Sequence, residues 1–251
     1  MDEKQLFPSK VPAVTLVFWI IKILATTLGE TGGDAVSMSM NLGYLVSTGI
    51  FASIFVAAVY AQTSAKKFHP LLYWTTIIAS TTVGTTLADF ADRSLGIGYA
   101  GGTTILFALL MASLFTWYRA LGSISVDTVS SPKSEVFYWV TIMFSQTLGT
   151  ALGDWTADSA GLGYVGGALV FSALLAVVAL LYFLTKVSRT TLFWAAFILT
   201  RPLGAVVGDF LDKPASHGGL ELSRYSASAA LIALVVLLVF AIPQKPAMRA
   251  H

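Results

Sequence analysis

The sequence predicts an all-α polytopic membrane protein, organised as a single membrane domain over residues 1–251 with eight transmembrane helices. Of its residues, 56% are hydrophobic and only 11% are charged, whereas soluble domains carry about 25% charged residues. Three stretches of 31, 25 and 27 residues contain no charge, namely 35–65, 94–118 and 159–185. Each exceeds the length of about 20 residues that a spanning helix needs. A fourfold internal repeat then sets the number of helices.

Each repeat is marked by a tryptophan that follows another aromatic residue. The tryptophans are spaced by 55, 65 and 55 residues, a glycine follows each by ten positions, and an aspartate follows each by fifteen. The residues are Trp19, Trp74, Trp139 and Trp194, Gly29, Gly84, Gly149 and Gly204, and Asp34, Asp89, Asp154 and Asp209. Agreement at three registers in four copies predicts one shared structure, with repeats at about 11–65, 66–121, 134–187 and 188–243.

Each repeat predicts two helices joined by a short connection, that is, a helical hairpin. In the first three repeats a Gly-Tyr pair follows the aspartate and begins a second apolar span. The fourth repeat instead inserts a polar loop, KPASHGGLELSR, before Tyr225, and a linker, SISVDTVSSPKSE, separates the second repeat from the third. The predicted spans are about 11–34, 43–62, 70–90, 98–119, 135–155, 163–186, 190–210 and 225–243.

This pattern resembles a family of bacterial membrane proteins of unknown function, built from four tandem two-helix repeats that each carry a characteristic tryptophan. The resemblance covers nearly the whole chain, from about residue 11 to residue 242. It implies the architecture, with the four tryptophans as the matching positions. It implies no activity, so the function has to be argued from the residues themselves.

Basic residues predict the orientation. Ten lie at one end of the predicted spans and three at the other. The ten are Lys4, Lys10, Lys66, Lys67, Arg119, Lys133, Lys186, Arg189, Lys245 and Arg249. The positive-inside rule then predicts a bacterial inner (cytoplasmic) membrane protein with both termini in the cytoplasm. All four repeats would point the same way, related by rotation about the membrane normal, with nine of the thirteen acidic residues in the outer half.

Polar residues recur on one face of each odd-numbered helix, at three, seven or eight, eleven and fifteen positions after the tryptophan. They predict a transport or binding path. Its candidate residues are Glu30, Asp34, Asp89, Asp154, Asp209, Thr27, Thr82, Thr147 and Gln146. Small residues recur four positions apart beside this face, which lets helix backbones approach closely. We therefore predict that the four odd helices surround a shared axis and that the even helices lie outside them.

Lys22, Glu30 and Arg201 break the symmetry of the repeats. If the ring of helices closes, the fourth repeat adjoins the first, and Arg201 is expected to meet Glu30 or Asp34. Lys22 and Arg201 then act either as gating residues or, in the case of Arg201, as half of a buried ion pair that fixes the helix register. The repeated aspartates are likewise either ligands or structural caps. Because helix C-termini disfavour anions, each needs a cation, a backbone donor or a proton.

The available ligand types favour a hard cation. Carboxylate, hydroxyl and amide oxygens suit Mg²⁺, Mn²⁺ or Ca²⁺, and the chain has no cysteine. We predict a transporter of a small inorganic cation, most suitably a divalent metal such as Mn²⁺ or Mg²⁺, driven by an ion gradient or the membrane potential. The candidate metal ligands are Glu30, Asp34, Asp89, Asp154 and Asp209.

Beyond the lipid bilayer and the transported cation, the sequence predicts no cofactor, no nucleic-acid partner and no enzymatic activity, since no nucleophile and base are arranged for catalysis. Two alternatives stay open. One is a membrane scaffold or sensor that transports nothing and whose polar residues only hold the helices together. The other is an organic-anion transporter that uses Lys22 and Arg201 to bind its substrate.

Overall fold

A computed structural model describes residues 9–248, which form eight α-helices. The helices are α1 (Leu16–Asp34), α2 (Gly43–Ser64), α3 (Pro70–Asp89), α4 (Tyr99–Leu121), α5 (Pro132–Asp154), α6 (Gly163–Leu184), α7 (Arg189–Asp212) and α8 (Arg224–Ala241). They agree with the predicted spans to within a few residues at each end. The largest difference is at α1, which begins where the Thr15 hydroxyl caps the helix by accepting from Phe18 N–H. Lys4 and Arg249, two of the basic residues used to predict orientation, lie outside the described residues.

Short π-helical turns follow three of the four odd-numbered helices. They are Ala35–Ser39, Phe90–Ser94 and Trp155–Ser159, after α1, α3 and α5. Each is followed by a glycine with positive φ at the start of the next helix, as at Gly43 (φ 74°) and Gly98 (φ 75°). Glycine adopts this left-handed backbone at no steric cost. The repeated spacing of the Gly-Tyr pairs in the first three repeats therefore reflects a sharp turn between the two helices of a repeat.

The two ends of the described chain lie side by side. Ala13 N–H donates to Lys245 C=O at 2.7 Å, and Ala247 N–H donates to Val11 C=O at 2.8 Å. The linker between the second and third repeats crosses the same end, where Lys10 N–H donates to Val129 C=O at 3.0 Å. Both ends of the described segment, 9–248, therefore lie at the end of the bundle where the odd helices begin.

The four odd helices form a closed inner ring. Helix α1 packs against α3, α3 against α5, α5 against α7, and α7 against α1. The even helices lie outside, and each packs mainly against the odd helix of the following repeat: α2 on α3, α4 on α5, α6 on α7, and α8 on α1. The sequence predicts the ring and the outer position of the even helices. It does not predict that the helices of one repeat pack mainly with the next repeat, which links all four repeats around the ring.

The ring closes through the repeated glycines. Each glycine ten positions after a tryptophan faces the residue seven positions after the tryptophan of the next repeat, and the fourth repeat faces the first. The pairs are Gly29 with Thr81, Gly84 with Gln146, Gly149 with Arg201, and Gly204 with Thr26. The same register at all four interfaces shows a rotational pseudo-symmetry, as the sequence predicts. A Cβ at Gly29, Gly149 or Gly204 would lie 2.2–2.3 Å from the facing side chain, so these three contacts require glycine.

We expect Gly204→Ala to destabilise the protein by about 1–3 kcal/mol, the usual cost of overpacking a tight interface. A Cβ at this position would lie 2.2 Å from Thr26 Oγ1 and 2.9 Å from the Thr26 backbone carbon. Thermal unfolding in detergent measures the effect. Gly49→Ala is the matched control, because nothing lies within 4 Å of a Cβ there and alanine favours a helix by about 1 kcal/mol over glycine. Equal unfolding temperatures for the two variants would contradict this packing.

Six helices are long and apolar enough to cross a membrane: α1 with its following turn, α2, α4, α6, α7 and α8. In the most apolar 18-residue stretch of each helix, 6% is buried in α2, an outer helix, but 72% is buried in α7, an inner helix. The other two helices, α3 and α5, belong to the inner ring, where neighbouring helices cover their polar side chains. The outer helices α2, α4, α6 and α8 expose large apolar side chains instead.

Candidate functional site

The end of the ring where the odd helices begin is filled by aromatic side chains. The hydroxyls of Tyr73 and Tyr138 are hydrogen-bonded at 2.6 Å. The ring of Phe18 packs against those of Trp74 at 5.4 Å and Phe193 at 6.2 Å. These side chains are buried, so the repeated aromatic pairs form a core layer of the bundle, referred to below as the aromatic layer.

Lys22 is fully buried one helical turn beyond the aromatic layer. Its ammonium lies 3.5 Å from Gln146 Oε1 and 4.2 Å from the centre of the Phe197 ring. The Gln146 amide in turn donates to Ser80 Oγ at 3.4 Å. Within residues 9–248 no carboxylate forms an ion pair with Lys22. Lys22 and Gln146 therefore lie together, apart from the acidic residues with which the sequence groups Gln146.

Arg201 joins all four inner helices at the middle of the ring. Its Nη1 and Nη2 atoms donate to Glu30 Oε2 at 3.1 and 3.0 Å. Nη2 also donates to the hydroxyls of Thr85, at 2.7 Å, and Thr150. Both members of the Arg201–Glu30 pair are buried, with side-chain exposures of 0% and 3%. The expected contact between the first and fourth repeats is confirmed, and the acidic partner is Glu30.

The four aspartates that follow the tryptophans by fifteen positions are all buried at the end of the ring opposite the aromatic layer. They are referred to as the aspartate ring: Asp34, Asp89, Asp154 and Asp209. Arg93 bridges two neighbouring members, with Nε 2.9 Å from Asp89 Oδ1 and Nη2 3.2 Å from Asp154 Oδ2. One cation therefore ties the second repeat to the third.

Lys213 bridges the other two members of the aspartate ring. Its Nζ lies 3.1 Å from Asp209 Oδ1 and also pairs with Asp34 Oδ2. Arg224, at the start of α8, lies 3.0 Å from Asp212 Oδ2 and 3.8 Å from Asp34 Oδ2. Lys213 therefore ties the fourth repeat to the first, as Arg93 ties the second to the third.

Among residues 9–248, two groups of three acidic side chains come close enough to share a cation. In each group, one oxygen from every residue lies within 4.8 Å of the others. The Glu30 group consists of Glu30, Asp154 and Asp209, and the Asp212 group consists of Asp34, Asp209 and Asp212. Asp209 belongs to both, so the groups adjoin.

Each group contains a buried oxygen that has no hydrogen-bond partner among the described residues, Oδ1 of Asp154 in the Glu30 group and Oδ1 of Asp212 in the Asp212 group. A buried carboxylate oxygen without a partner is costly, because burial removes the water that would otherwise solvate it. Each of these oxygens is therefore expected to bind a proton, a water molecule or a cation. This is the observation that makes the acidic groups candidates for ligand binding.

Besides Gln146, three predicted site residues are not brought to the carboxylates. The hydroxyls of Thr27, Thr82 and Thr147 donate to carbonyl groups of their own helices, at 3.0, 3.1 and 2.9 Å. They lie eight positions after the tryptophan, about 100° around the helix from the seventh position that faces the next inner helix. Asp89 pairs with Arg93 and belongs to neither three-residue group.

Sequence reasoning missed the two cations that bridge members of the aspartate ring. Arg93 and Lys213 both occur nineteen positions after a tryptophan and four after an aspartate, a spacing that places their charges on one helix face. This spacing is the signal that could have found them. Asp212 lies two residues beyond the predicted span 190–210, whereas the structure includes it in α7 and buries it beside Arg224.

A comparison with known protein families identifies a repeat in this chain. The family described as Repeat of Unknown Function (DUF347) matches residues 17–68, 72–122, 137–188 and 192–242. No curated protein and no solved structure matches the chain. Each matched segment begins within two residues of a repeat tryptophan and contains one inner and one outer helix. With four copies covering most of its length, the chain belongs to the DUF347 repeat family.

Proposed function

We propose that this protein is an integral membrane transporter of a small, hard inorganic cation, a divalent metal such as Mn²⁺ or Mg²⁺. The observation that carries the proposal is the Glu30 group, in which three inner helices each supply a buried carboxylate and the oxygens lie within 4.8 Å of one another. Carboxylate oxygens are the ligands that hard divalent cations prefer. Intramembrane acidic residues are costly and typically mark ion pathways.

The outer helices support a position within the bilayer. They are 18 to 23 residues long, close to the length of about 20 residues that spans the hydrocarbon core. Their exposed surface includes Leu45, Ile105, Leu169 and Leu237. On this proposal all eight helices cross the cytoplasmic membrane. The excess of basic residues at the end of the bundle where the odd helices begin supports a cytoplasmic position for that end.

In this orientation the aspartate ring faces the outer side of the membrane and the aromatic layer faces the cytoplasm. Arg201 and Lys22 lie between them, and both are fully buried among the inner helices. A cation at the Glu30 group would compete with Arg201 for the Glu30 carboxylate. Cation binding would thereby weaken the contact that joins the four inner helices, which couples binding to opening. The energy for transport would come from an ion gradient or from the membrane potential.

A flux measurement tests the proposal. Purified protein is reconstituted into sealed vesicles, and uptake of Mn²⁺, Mg²⁺, Ca²⁺ and Na⁺ is followed with and without a pH gradient. We expect uptake of a divalent cation above that of protein-free vesicles, because the site offers only oxygen ligands with an excess of negative charge. Gly49→Ala serves as a control for folding and insertion. Uptake equal to that of protein-free vesicles for all four cations would contradict the proposal.

One observation favours a second function, that of a membrane scaffold or sensor. Every member of the aspartate ring lies in an ion pair with Arg93 or Lys213, and such pairs are able to fix the contacts between repeats without any ligand. The organic-anion alternative has less support, because both Nη atoms of Arg201 are already bonded to Glu30. Asparagine variants of the aspartates, discussed below, distinguish transport from a scaffold.

A further inference from the structure

The fourth repeat contains a segment, 213–223, that takes the place of the π-helical turn in the other three repeats. Cations stand at its start and immediately after it, Lys213 and Arg224. Both reach the Asp212 group: Lys213 pairs with Asp34 and Asp209, and Arg224 pairs with Asp212. The insertion therefore supplies charge to one acidic group in particular.

The Asp212 group already binds a cationic group, the ammonium of Lys213. Nζ of Lys213 lies between carboxylates of α1 and α7, 3.1 Å from Asp209 Oδ1 and in contact with Asp34 Oδ2. The third member, Asp212, is 94% buried, and its Oδ1 atom has no hydrogen-bond partner among the described residues. Counting Arg224, which pairs with Asp212 Oδ2, two side-chain cations face three carboxylates, so the group binds less positive charge than its carboxylates carry negative charge.

The backbone of segment 213–223 fixes the position of Lys213 beside the Asp212 group. Lys213 is the first residue beyond α7 and is extended, with φ −75° and ψ 156°. Glu221 N–H donates to Lys213 C=O at 3.0 Å, and Leu220 N–H donates to Phe210 C=O at 2.7 Å, so the segment folds back over the end of α7. The backbone of Lys213 is thereby fixed, while the ammonium is held by the carboxylates. The ammonium is able to leave the carboxylates by rotation of the Lys213 side chain, without any unwinding of α7.

Arg93 can be compared with Lys213, because it occupies the same register in the second repeat. It lies within the π-helical turn Phe90–Ser94 and bonds Asp89 and Asp154 through two different guanidinium nitrogens. A guanidinium is a rigid fork suited to fixed carboxylate pairs, whereas a lysine ammonium is a compact point charge on a flexible stem. Lys213 is therefore the exchangeable cation of the two, and Arg93 the structural one.

We propose that the Asp212 group is the entry site for the transported cation and that the Lys213 ammonium is a tethered occupant which this cation displaces. The inference rests on the proposed transport function. It adds a basis for selectivity: an entering ion must bind three carboxylates better than the tethered ammonium binds two, which favours a divalent over a monovalent cation. Because Asp209 is shared, a cation that displaces Lys213 lies next to the Glu30 group.

The test measures Mn²⁺ binding to the purified full chain in detergent, from the loss of the electron paramagnetic resonance signal of free Mn²⁺. We expect Lys213→Met, which keeps the unbranched stem but not the charge, to lower the Kd by about 10-fold, because a competing bound state is removed. Lys213→Arg should bind more weakly than Lys213→Met, since the tethered charge is retained. Lys186→Ala removes an exposed lysine between α6 and α7, at the opposite end of the bundle, and should leave the Kd unchanged.

A Kd for Lys213→Met equal to or above that of the wild type would overturn the inference, even where wild-type Mn²⁺ binding and its loss in Asp154→Asn still support the proposed function. Absence of Mn²⁺ binding in both proteins would overturn the two together. If Lys213→Met does not fold, Lys213→Gln replaces it, with the same expected direction. A second readout is stability: without metal, Lys213→Met should unfold at a lower temperature than the wild type, and Mn²⁺ should raise that temperature more than it does for the wild type.

Discussion

Arg201→Met is expected to lower the free energy of unfolding by about 3–5 kcal/mol, the typical cost of removing one partner from a buried ion pair. The variant leaves the Glu30 carboxylate buried without its cation, and it removes the donor that joins Thr85 and Thr150 to the axis. Thermal or denaturant unfolding in detergent measures the loss. The effect should be larger than that of Gly204→Ala, because an isolated buried charge is more costly than a steric overlap that neighbours can partly relieve.

The double variant Arg201→Met with Glu30→Gln separates pairing from packing. Neutral side chains of similar size often replace a buried ion pair at little cost, so the double variant should recover most of the stability that the single variant loses. Exchanging the charges, with arginine at position 30 and glutamate at position 201, should likewise preserve more transport than either single reversal. A double variant no better than the worse single variant would show that the two residues act independently.

The helices and their ring arrangement are readable from the sequence because the repeated signals are local. The tryptophan, glycine and aspartate registers are separated by ten and fifteen residues, and helical periodicity converts these spacings into shared faces. Residues that differ from those at the same register in the other repeats also allow a contact to be predicted. Glu30 and Arg201 stand alone at their registers, and a buried charge requires a partner, so their contact follows from closure of the ring.

The contacts between repeats are harder to predict from the sequence, because they depend on the rotation of each helix about its own axis. Thr26 and Thr27 are adjacent in sequence, but the structure places Thr26 against Gly204 of the neighbouring helix and bonds Thr27 to its own helix. The bridging role of Arg93 depends similarly on the π-helical turn that carries it. Periodicity alone does not give the packing of each even helix on the following repeat, since both helices of a repeat have apolar faces.

The charges reduce the fourfold symmetry of the backbone to a twofold pattern at the aspartate ring. Bridging cations come from the second and fourth repeats, and the same register holds Met38 in the first repeat and Asp158 in the third. Four aspartates therefore share two bridging cations. The ring keeps an excess of negative charge beside Glu30, which is the condition that a cation site needs and that a neutral scaffold would not require.

Asp154→Asn is expected to reduce cation flux by more than about 100-fold, since even changes in the surroundings of a metal site cost up to that much. Asparagine keeps the size of the side chain and one acceptor oxygen, but it removes the charge that a hard cation requires. Asp34→Asn and Asp89→Asn are expected to abolish flux as well, and Glu30→Gln should act similarly. Uptake of Mn²⁺ into vesicles of equal protein content measures the effect.

Asp158→Asn is the matched control for these variants, because Asp158 is an exposed acidic residue of the same repeat as Asp154. It should transport at the wild-type rate. A structural aspartate that only accepts a hydrogen bond from Arg93 would tolerate asparagine, because the amide oxygen still accepts that bond. If the asparagine variants at positions 34, 89 and 154 all moved cations at the wild-type rate, the carboxylates would be structural. A cation that nonetheless crossed the membrane would then have to follow a route that avoids the aspartate ring.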